Sequence, residues 1–312
     1  MKSKFNNIAV IGTGVIGSGW IIRFLHNGKK IFVYDPSINQ NKFLLSEINR
    51  TKKILKKFYK KSFNLKKQLI FCKSIKQAVE KADLIQENIP ENEKIKIKII
   101  KEISWYAKKT SIIASSSSGL LPSKIQSECI KPERLIIAHP FNPVYLLPLV
   151  ELVKGKKTTN IYINEANDFY KNIGMHVLIL KKELPGYLSD RLQESMWRES
   201  LHLINENFAS TKDLDEAIIY GPGLRWPLMG TFLTFHLAGG EMGMQHMLEQ
   251  FGPALKLPWT KLKAPKLTKN LSKKIIKGTK EQSTNLSIKK LSNYRDNFLI
   301  ELLKIRKKYK IQ

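Results

Sequence analysis

Asn7-Ile8-Ala9-Val10-Ile11-Gly12-Thr13-Gly14-Val15-Ile16-Gly17 is the stretch on which the fold turns. A short apolar, β-rich run ends on glycines spaced G-x-G-x-x-G and passes into a helical pattern reaching about Asn27. Gly12 permits a tight turn, Gly14 lets the backbone approach a pyrophosphate, and Gly17 allows close helix–strand packing, with Thr13, Val15 and Ile16 completing the loop. A diphosphate would rest on the helix N-terminus, where unpaired N–H groups and the helix dipole favour an anion. Lys30 to Tyr34 then forms a second strand, closed by Asp35. A carboxylate there accepts hydrogen bonds from a ribose diol and repels a 2′-phosphate, which selects NAD over NADP.

Downstream of this unit, apolar runs at Leu69–Cys72, Leu84–Asn88, Ser111–Ala114 and Leu135–Ala138 alternate with helical patterns such as Ser74–Glu80 and Glu93–Tyr106. Strands alternating with helices predict a parallel sheet. Leu149–Val153 and His176–Leu180 add later strands, Pro185-Gly186 breaks the pattern, and the remainder of the chain reads as helical. The expected fold class is therefore α/β: a doubly wound, parallel-sheet NAD-binding (Rossmann) domain over 1–184, then an all-α domain over 185–312, with catalysis expected in the cleft between them. From Lys261 the chain is lysine-rich, with helices expected between Leu271 and Tyr309.

The formal net charge of +28 raises the question of a nucleic-acid partner. The lysines are dispersed over the whole chain among abundant Ile and Asn, without the aromatic interleaving of a single-strand-binding surface, so they read as a compositional bias. No nucleic-acid or membrane partner is expected. No apolar run approaches the roughly 20 residues of a bilayer span. Cys72 and Cys129 have neither disulfide-framework nor zinc-site spacing, so no metal is expected and a cytoplasmic location fits.

His139-Pro140-Phe141-Asn142-Pro143 follows a buried-looking strand, where open α/β sheets place their ligand crevice. Removing hydride from an alcohol carbon needs a base for the hydroxyl proton, and histidine titrates in the right range. Glu151, in Pro148-Leu149-Val150-Glu151, is a carboxylate able to orient such an imidazole and stabilise its cation. The residues alone leave a structural histidine equally open, because a sequence does not say whether two side chains meet. Ser115 to Ser118 supply hydroxyls after another strand end.

These features together resemble the 3-hydroxyacyl-CoA dehydrogenase superfamily, from the glycine motif to about Leu262. The resemblance rests on Gly12–Gly17, Glu87-Asn88-Ile89-Pro90-Glu91, the serine run, His139-Pro-Phe-Asn-Pro with Glu151, and Pro185-Gly186-Tyr187-Leu188-Ser189-Asp190-Arg191. It implies that His139 is the general base, Glu151 its orienter, and Ser118 a hydrogen-bond donor to the substrate oxygen. It also implies that Glu91 joins the glycine loop and Asp35 in holding NAD, and that the helical domain forms a homodimer. The family commonly carries asparagine where this chain has Asp190, a departure that points to a different substrate.

Gly221-Pro-Gly-Leu-Arg-Trp226, Gly230-Thr-Phe-Leu-Thr-Phe-His-Leu-Ala-Gly-Gly240 and Pro258-Trp259-Thr260-Lys261 are similar to the carnitine-oxidising branch of that superfamily, which implies L-carnitine as substrate. A trimethylammonium group donates no hydrogen bonds and is best held by aromatic faces with a carboxylate nearby. Trp197, Tyr220, Trp226, Phe232, Phe235 and Trp259 are candidate faces, and Asp190, Glu194, Glu199 and Glu241 candidate counter-charges. Arg198 and Arg225 are candidates for the substrate carboxylate, which a planar guanidinium grips in bidentate fashion. Competing readings are an L-gulonate 3-dehydrogenase, a 3-hydroxybutyryl-CoA dehydrogenase, and a non-catalytic, crystallin-like structural protein.

Overall fold

The computed structural model describes residues 5–59, 62–283 and 286–309, and the chain divides into two compact units, Met1–Asp190 and Arg191–Gln312.

The first unit is built on one eight-stranded sheet of order β3-β2-β1-β4-β5-β6-β7-β8. Its strands are β1 Asn7–Ile11, β2 Lys30–Tyr34, β3 Leu69–Phe71, β4 Leu84–Glu87, β5 Ile112–Ser115, β6 Leu135–Pro140, β7 Leu149–Lys154 and β8 His176–Ile179. Between them lie the helices α1 Val15–His26, α2 Ile38–Leu55, α3 Leu65–Gln68, α4 Ile75–Val79, α5 Glu93–Tyr106, α6 Pro122–Ile125 and α7 Asn160–Asn172. β1, β5 and β6 read as largely apolar runs, as strands covered on both sheet faces do, while β4 is Leu84-Ile85 followed by Gln86-Glu87; all of β4, β5 and β6 is buried. The first six strands are parallel in the order 3-2-1-4-5-6, which opens a ligand crevice at their carboxyl ends where the order reverses beside β1.

The sheet is not wholly parallel, however. β7 runs antiparallel to β6, and β8 pairs parallel with β7. The link 141–148 is too short for a parallel crossover, which takes a dozen or more residues, so the chain can only fold back. Buried Arg23 in α1 fixes that link: Nε donates to the carbonyl of Val144 at 2.7 Å, and its terminal nitrogens donate to Leu147 at 3.0 Å and Ile173 at 3.3 Å.

The second unit is helical. α8 (Ser189–Asn205) enters it, followed by α9 Thr211–Ile219, α10 Thr231–Ala238, α11 Met244–Phe251, α12 Lys269–Gln282 and α13 Ile288–Lys308. A capping box of Ser210 and Asp213 starts α9. None of α9, α10 or α11 buries a residue within this chain, although α10 reads Thr-Phe-Leu-Thr-Phe-His-Leu-Ala. Phe232 is 83% and Leu255 85% exposed, and an apolar groove is lined by Ile219, Leu224, Leu228, Phe298, Leu302 and Ile305. Among the described residues, no helix is long and apolar enough to cross a membrane.

Candidate active site

The glycine loop has the form an anion cradle requires. Gly12 sits at φ +88°, and a Cβ there would come within 2.8 Å of the Asn88 carbonyl oxygen. A Cβ on Gly17 would meet the Gly12 carbonyl oxygen at 2.0 Å, so α1 packs against the turn only because both positions lack side chains. Gly14 is the opposite case: a Cβ on it meets nothing within 4 Å, so its backbone faces open space at the N-cap of α1, whose first turn holds no acidic residue. Val15 is exposed and Ile16 half-buried beside it. Buried Thr13 donates to Asp35 Oδ2 through its backbone N–H at 2.7 Å and its hydroxyl at 3.1 Å, while Ser37 N–H donates to Asp35 Oδ1 at 2.9 Å. A carboxylate has about four acceptor sites, so Asp35 keeps capacity for a ribose hydroxyl beside the cradle. These residues fit a dinucleotide.

Register brings the two chemistry-bearing residues together. In the antiparallel pairing of β6 with β7, His139 lies directly opposite Glu151, and directly opposed Cβ atoms sit about 4.5–5.5 Å apart. His139 Nδ1 is 2.8 Å from Glu151 Oε2, with both residues buried. Glu151 is held on its other flank too. The N–H groups of Leu188 and Ser189 donate to Oε1 at 3.0 and 3.1 Å, and the Ser189 hydroxyl donates to Oε2 at 2.6 Å. Burial alone would raise the Glu151 pKa; the hydrogen bonds from His139 and from Ser189 and Leu188 outweigh it and hold the carboxyl below its ordinary range. An ionised carboxylate only accepts, so Nδ1 carries the proton and Nε2 is the free base.

The Leu188 and Ser189 amides reach Glu151 because the chain turns sharply just before them: Gly186 is at φ +74° and Tyr187, a non-glycine, at +44°. The Tyr187 ring lies 5.4 Å from the His139 ring, and its buried hydroxyl donates to the Leu120 carbonyl at 2.8 Å, burial pushing its pKa far up. One residue beyond Ser189, Asp190 Oδ2 stands 3.5 Å from His139 Nε2.

The serine run is arranged by Glu87, which ends β4, and Glu91, in the loop that follows. Glu91 Oε1 accepts from the Ser117 hydroxyl and from the N–H groups of Ser118, Gly119 and Leu120 at 3.2, 3.1 and 3.3 Å. Burial opposes its charge, but the Ser117 hydrogen bond, Lys96 and these amides prevail and lower its pKa. Buried Glu87 accepts from Lys96 Nζ at 2.8 Å, from the Ile89 N–H at 2.7 Å and from the Ser115 hydroxyl. Ser118, half-buried, is thus fixed by its backbone.

The substrate candidates of the helical unit are less gathered. Arg198 is engaged locally, Nε with Glu194 at 3.3 Å and a terminal nitrogen with the Leu262 carbonyl at 3.2 Å. Glu199 accepts the Lys261 N–H at 2.6 Å. Arg225 and Glu241 are exposed and Trp226 half-buried. Among the described residues no ring pair joins any two of Trp197, Tyr220, Trp226, Phe232, Phe235 and Trp259.

Sequence reasoning missed Ser189, Tyr187 and Lys96. Lys96 had a readable signal, since it falls on the buried stripe of α5 with Ile100 and Ile103, where helical periodicity calls for an apolar residue. Ser189 had none, because its role depends on a fold-back between distant segments. No group of three or more potential metal ligands occurs among the described residues.

Comparison with known proteins accords with this arrangement. Over 308 residues the chain is 51% identical to the L-carnitine dehydrogenase of Bacillus cereus, covering 99% of this chain and 94% of that protein. It is 47% identical to the L-carnitine dehydrogenase of Oceanobacillus iheyensis, covering 97% and 98%. Among solved structures, an NAD+-dependent dismutase, 5-formyl-3-hydroxy-2-methylpyridine 4-carboxylic acid 5-dehydrogenase, superimposes with a TM-score of 0.80 at 24% identity, covering 96% of this chain and 98% of that one. (S)-3-hydroxybutyryl-CoA dehydrogenase from Ralstonia eutropha gives 0.61 at 23%, covering 79% and 85%. Residues 7–183 match the NAD-binding domain of 3-hydroxyacyl-CoA dehydrogenase and residues 186–284 its C-terminal domain. With a glycine cradle, a cross-strand His–Glu pair and both domains matched in order, the chain belongs to the 3-hydroxyacyl-CoA dehydrogenase family, as an NAD-dependent dehydrogenase.

Proposed function

We propose that this protein oxidises the 3-hydroxyl of L-carnitine with NAD to give 3-dehydrocarnitine and NADH. The observation that carries the mechanism is the His139 Nδ1 to Glu151 Oε2 contact of 2.8 Å, which leaves Nε2 as the free base. The substrate is inferred from identity near one half, over nearly the full length, to proteins named for that reaction. As the carbinol is oxidised, its hydroxyl proton passes to His139 Nε2, and the imidazolium is stabilised by the Glu151 carboxylate behind it. Bound NAD supplies the hydride acceptor. The Ser118 hydroxyl donates to the substrate oxygen, while Glu91 fixes the loop that carries it and borders the cofactor. We assign the residues of Gly12–Gly17 and Asp35 to NAD, and Asp190, Arg198, Arg225, Trp226 and Phe232 to substrate.

We assign 1–184 to cofactor binding and 185–312 to the helical domain. That domain pairs with a second copy of the chain, which its uncovered apolar helices support. A cytoplasmic location accords with Cys72 and Cys129 both being free thiols.

The test is NADH formation by purified enzyme with NAD and, in turn, L-carnitine, D-carnitine, L-gulonate and 3-hydroxybutyryl-CoA, beside His139→Ala. Selective turnover of L-carnitine that the variant loses is the expected result. Preference for gulonate or the CoA ester would keep the base and overturn the substrate. Light scattering of the eluting enzyme checks the dimer.

A further inference from the structure

Four donors converge on the buried Glu151 carboxylate, and its two oxygens are served differently. Oε1 accepts the N–H groups of Leu188 and Ser189 at 3.0 and 3.1 Å, at the start of α8, where first-turn amides and the helix dipole favour an anion. Oε2 is shared: His139 Nδ1 lies at 2.8 Å, and the Ser189 hydroxyl donates to the same oxygen at 2.6 Å. A carboxylate offers about four acceptor positions, so these donors occupy it fully. Three of them are fixed by the backbone or by the dyad itself. The fourth, the hydroxyl, depends on the identity of one side chain.

We infer that Ser189 is a positioning residue whose hydroxyl, by competing with His139 Nδ1 for Glu151 Oε2, sets the pH range over which the dyad accepts a proton. The inference rests on the reading of His139 as general base and deepens it. A short hydroxyl-to-carboxylate hydrogen bond is charge-assisted, and each donor on a carboxylate oxygen makes that oxygen a weaker partner for the others. Without the Ser189 hydroxyl, Oε2 faces Nδ1 alone and stabilises an imidazolium more strongly. The amides on Oε1 remain, and so does the cross-strand opposition of His139 and Glu151, so the carboxylate keeps its place. The sign follows from the chemistry. Oxidation needs Nε2 unprotonated, so activity falls as the imidazole gains its proton on acidification, and a better stabilised imidazolium brings that fall to higher pH. One hydrogen bond acting through the carboxylate should move it by about half to one pH unit, about three- to tenfold in proton affinity. Other charged or titratable groups face the dyad as well: Asp190 Oδ2, 3.5 Å from Nε2; Tyr187, whose ring is 5.4 Å from that of His139; and Glu91, which acts with Glu151 and Asp190 on the Tyr187 hydroxyl. They are the same in wild type and in a Ser189 variant, so the difference between the two isolates the hydroxyl.

The competing role is purely structural, a hydroxyl that pins the start of α8 to β7. That role predicts a lower melting temperature and a pH profile whose midpoint does not move. The experiment therefore measures kcat/KM for L-carnitine at saturating NAD across about pH 5–9 in wild type, Ser189→Ala and Ser189→Cys, with melting temperatures alongside. In parallel, the His139 imidazole is titrated by NMR in each protein, its signal assigned by its absence from His139→Ala. In Ser189→Ala we expect both the acid limb of the profile and the imidazole midpoint to rise by about half to one pH unit. One unit below the wild-type midpoint, kcat/KM should then be about three- to tenfold lower than wild type, while the alkaline plateau stays within about threefold. Ser189→Cys, with a weaker donor of similar size, should move the same way by less. An unmoved midpoint in Ser189→Ala, or a loss of kcat equal at every pH, overturns the inference. Should Ser189→Ala not fold, Ser189→Cys decides, and a midpoint there equal to that of wild type overturns it too. Failure of wild type to oxidise carnitine refutes the substrate reading instead, and the imidazole titration, which needs no turnover, still decides the inference.

Discussion

Replacing Glu151 by Gln should cost far more than the loss of one charge suggests. The two amides of Leu188 and Ser189 both donate to Oε1, so a glutamine must turn its carbonyl oxygen toward them or set donor against donor. Its NH2 group then occupies the Oε2 position, 2.8 Å from His139 Nδ1. Facing a donor, Nδ1 has to accept, and the imidazole proton moves to Nε2, the tautomer that cannot take a proton from the substrate. The lost imidazolium stabilisation adds to this: opposite charges about 4 Å apart interact by about 4 kcal/mol at an effective dielectric of about 20, equivalent to roughly a thousandfold in rate. In a Ser-His-Asp triad, forcing the wrong tautomer lowers kcat by about 10⁴. We therefore expect kcat to drop by about 10³–10⁴ with KM changed by less than about threefold, since Glu151 faces His139 and not the open side. Steady-state NADH formation with carnitine measures it, and an unchanged NAD dissociation constant by fluorescence titration certifies the fold. A kcat within about tenfold of wild type would refute the reasoning, because Glu151 would then neither set the tautomer nor stabilise the cation.

The glycine loop offers a paired test. A methyl on Gly14 meets nothing in the protein, so Gly14→Ala should melt within about 2 °C of wild type yet bind NAD about tenfold or more weakly, whereas Gly17→Ala, driving a Cβ to 2.0 Å from a carbonyl oxygen, should lose stability outright. Equal NAD affinity in Gly14→Ala by titration would remove that residue from the cradle. Lys96→Met leaves Glu87 buried without its cation and should destabilise the fold by about 3–5 kcal/mol in urea unfolding; a loss under about 1 kcal/mol would mean that the amide of Ile89 and the Ser115 hydroxyl suffice. Glu91 and Glu151 have folded pKa values below their unfolded ones, so the stability they contribute is present above the unfolded carboxylate value of about 4.3 and is lost as pH falls through the lowered values. Urea midpoints taken between about pH 6 and 3 should therefore fall steeply in wild type and less steeply in Glu91→Gln, and parallel curves would contradict the role given to Glu91.

One physical division separates the features that could be read in advance from those that could not. The glycine cradle is a local device: its turn, its helix start and its strand lie within one short segment, so spacing alone carries it, and Asp35 is found because strand length fixes where the next carboxyl end falls. Most strand positions were legible too, since β4, β5 and β6 are buried along their whole length and open on apolar runs that polar residues break only toward their carboxyl ends, at Gln86 and Glu87, Ser115 and His139. The reversal of β7 was also implicit in the brevity of 141–148, but strands look alike in either direction and only the connection distinguishes them. The pairing of His139 with Glu151 is of another kind. It depends on that reversal, which converts a separation along the chain into direct opposition across two strands, and on Ser189 folding back from far downstream to hold the carboxylate. A one-residue slip of β7 would turn Glu151 to the opposite sheet face and leave His139 with an apolar neighbour, Val150 or Leu152, so the dyad is in effect a readout of register. The link that returns the chain is braced from outside the motif by Arg23, buried in the helix that follows the glycine loop, whose guanidinium donates to the carbonyls of Val144 and Leu147. The helix whose N-terminus we assign to the dinucleotide thus also holds the loop between the proposed base and its proposed orienter, which ties both assignments to one packed element.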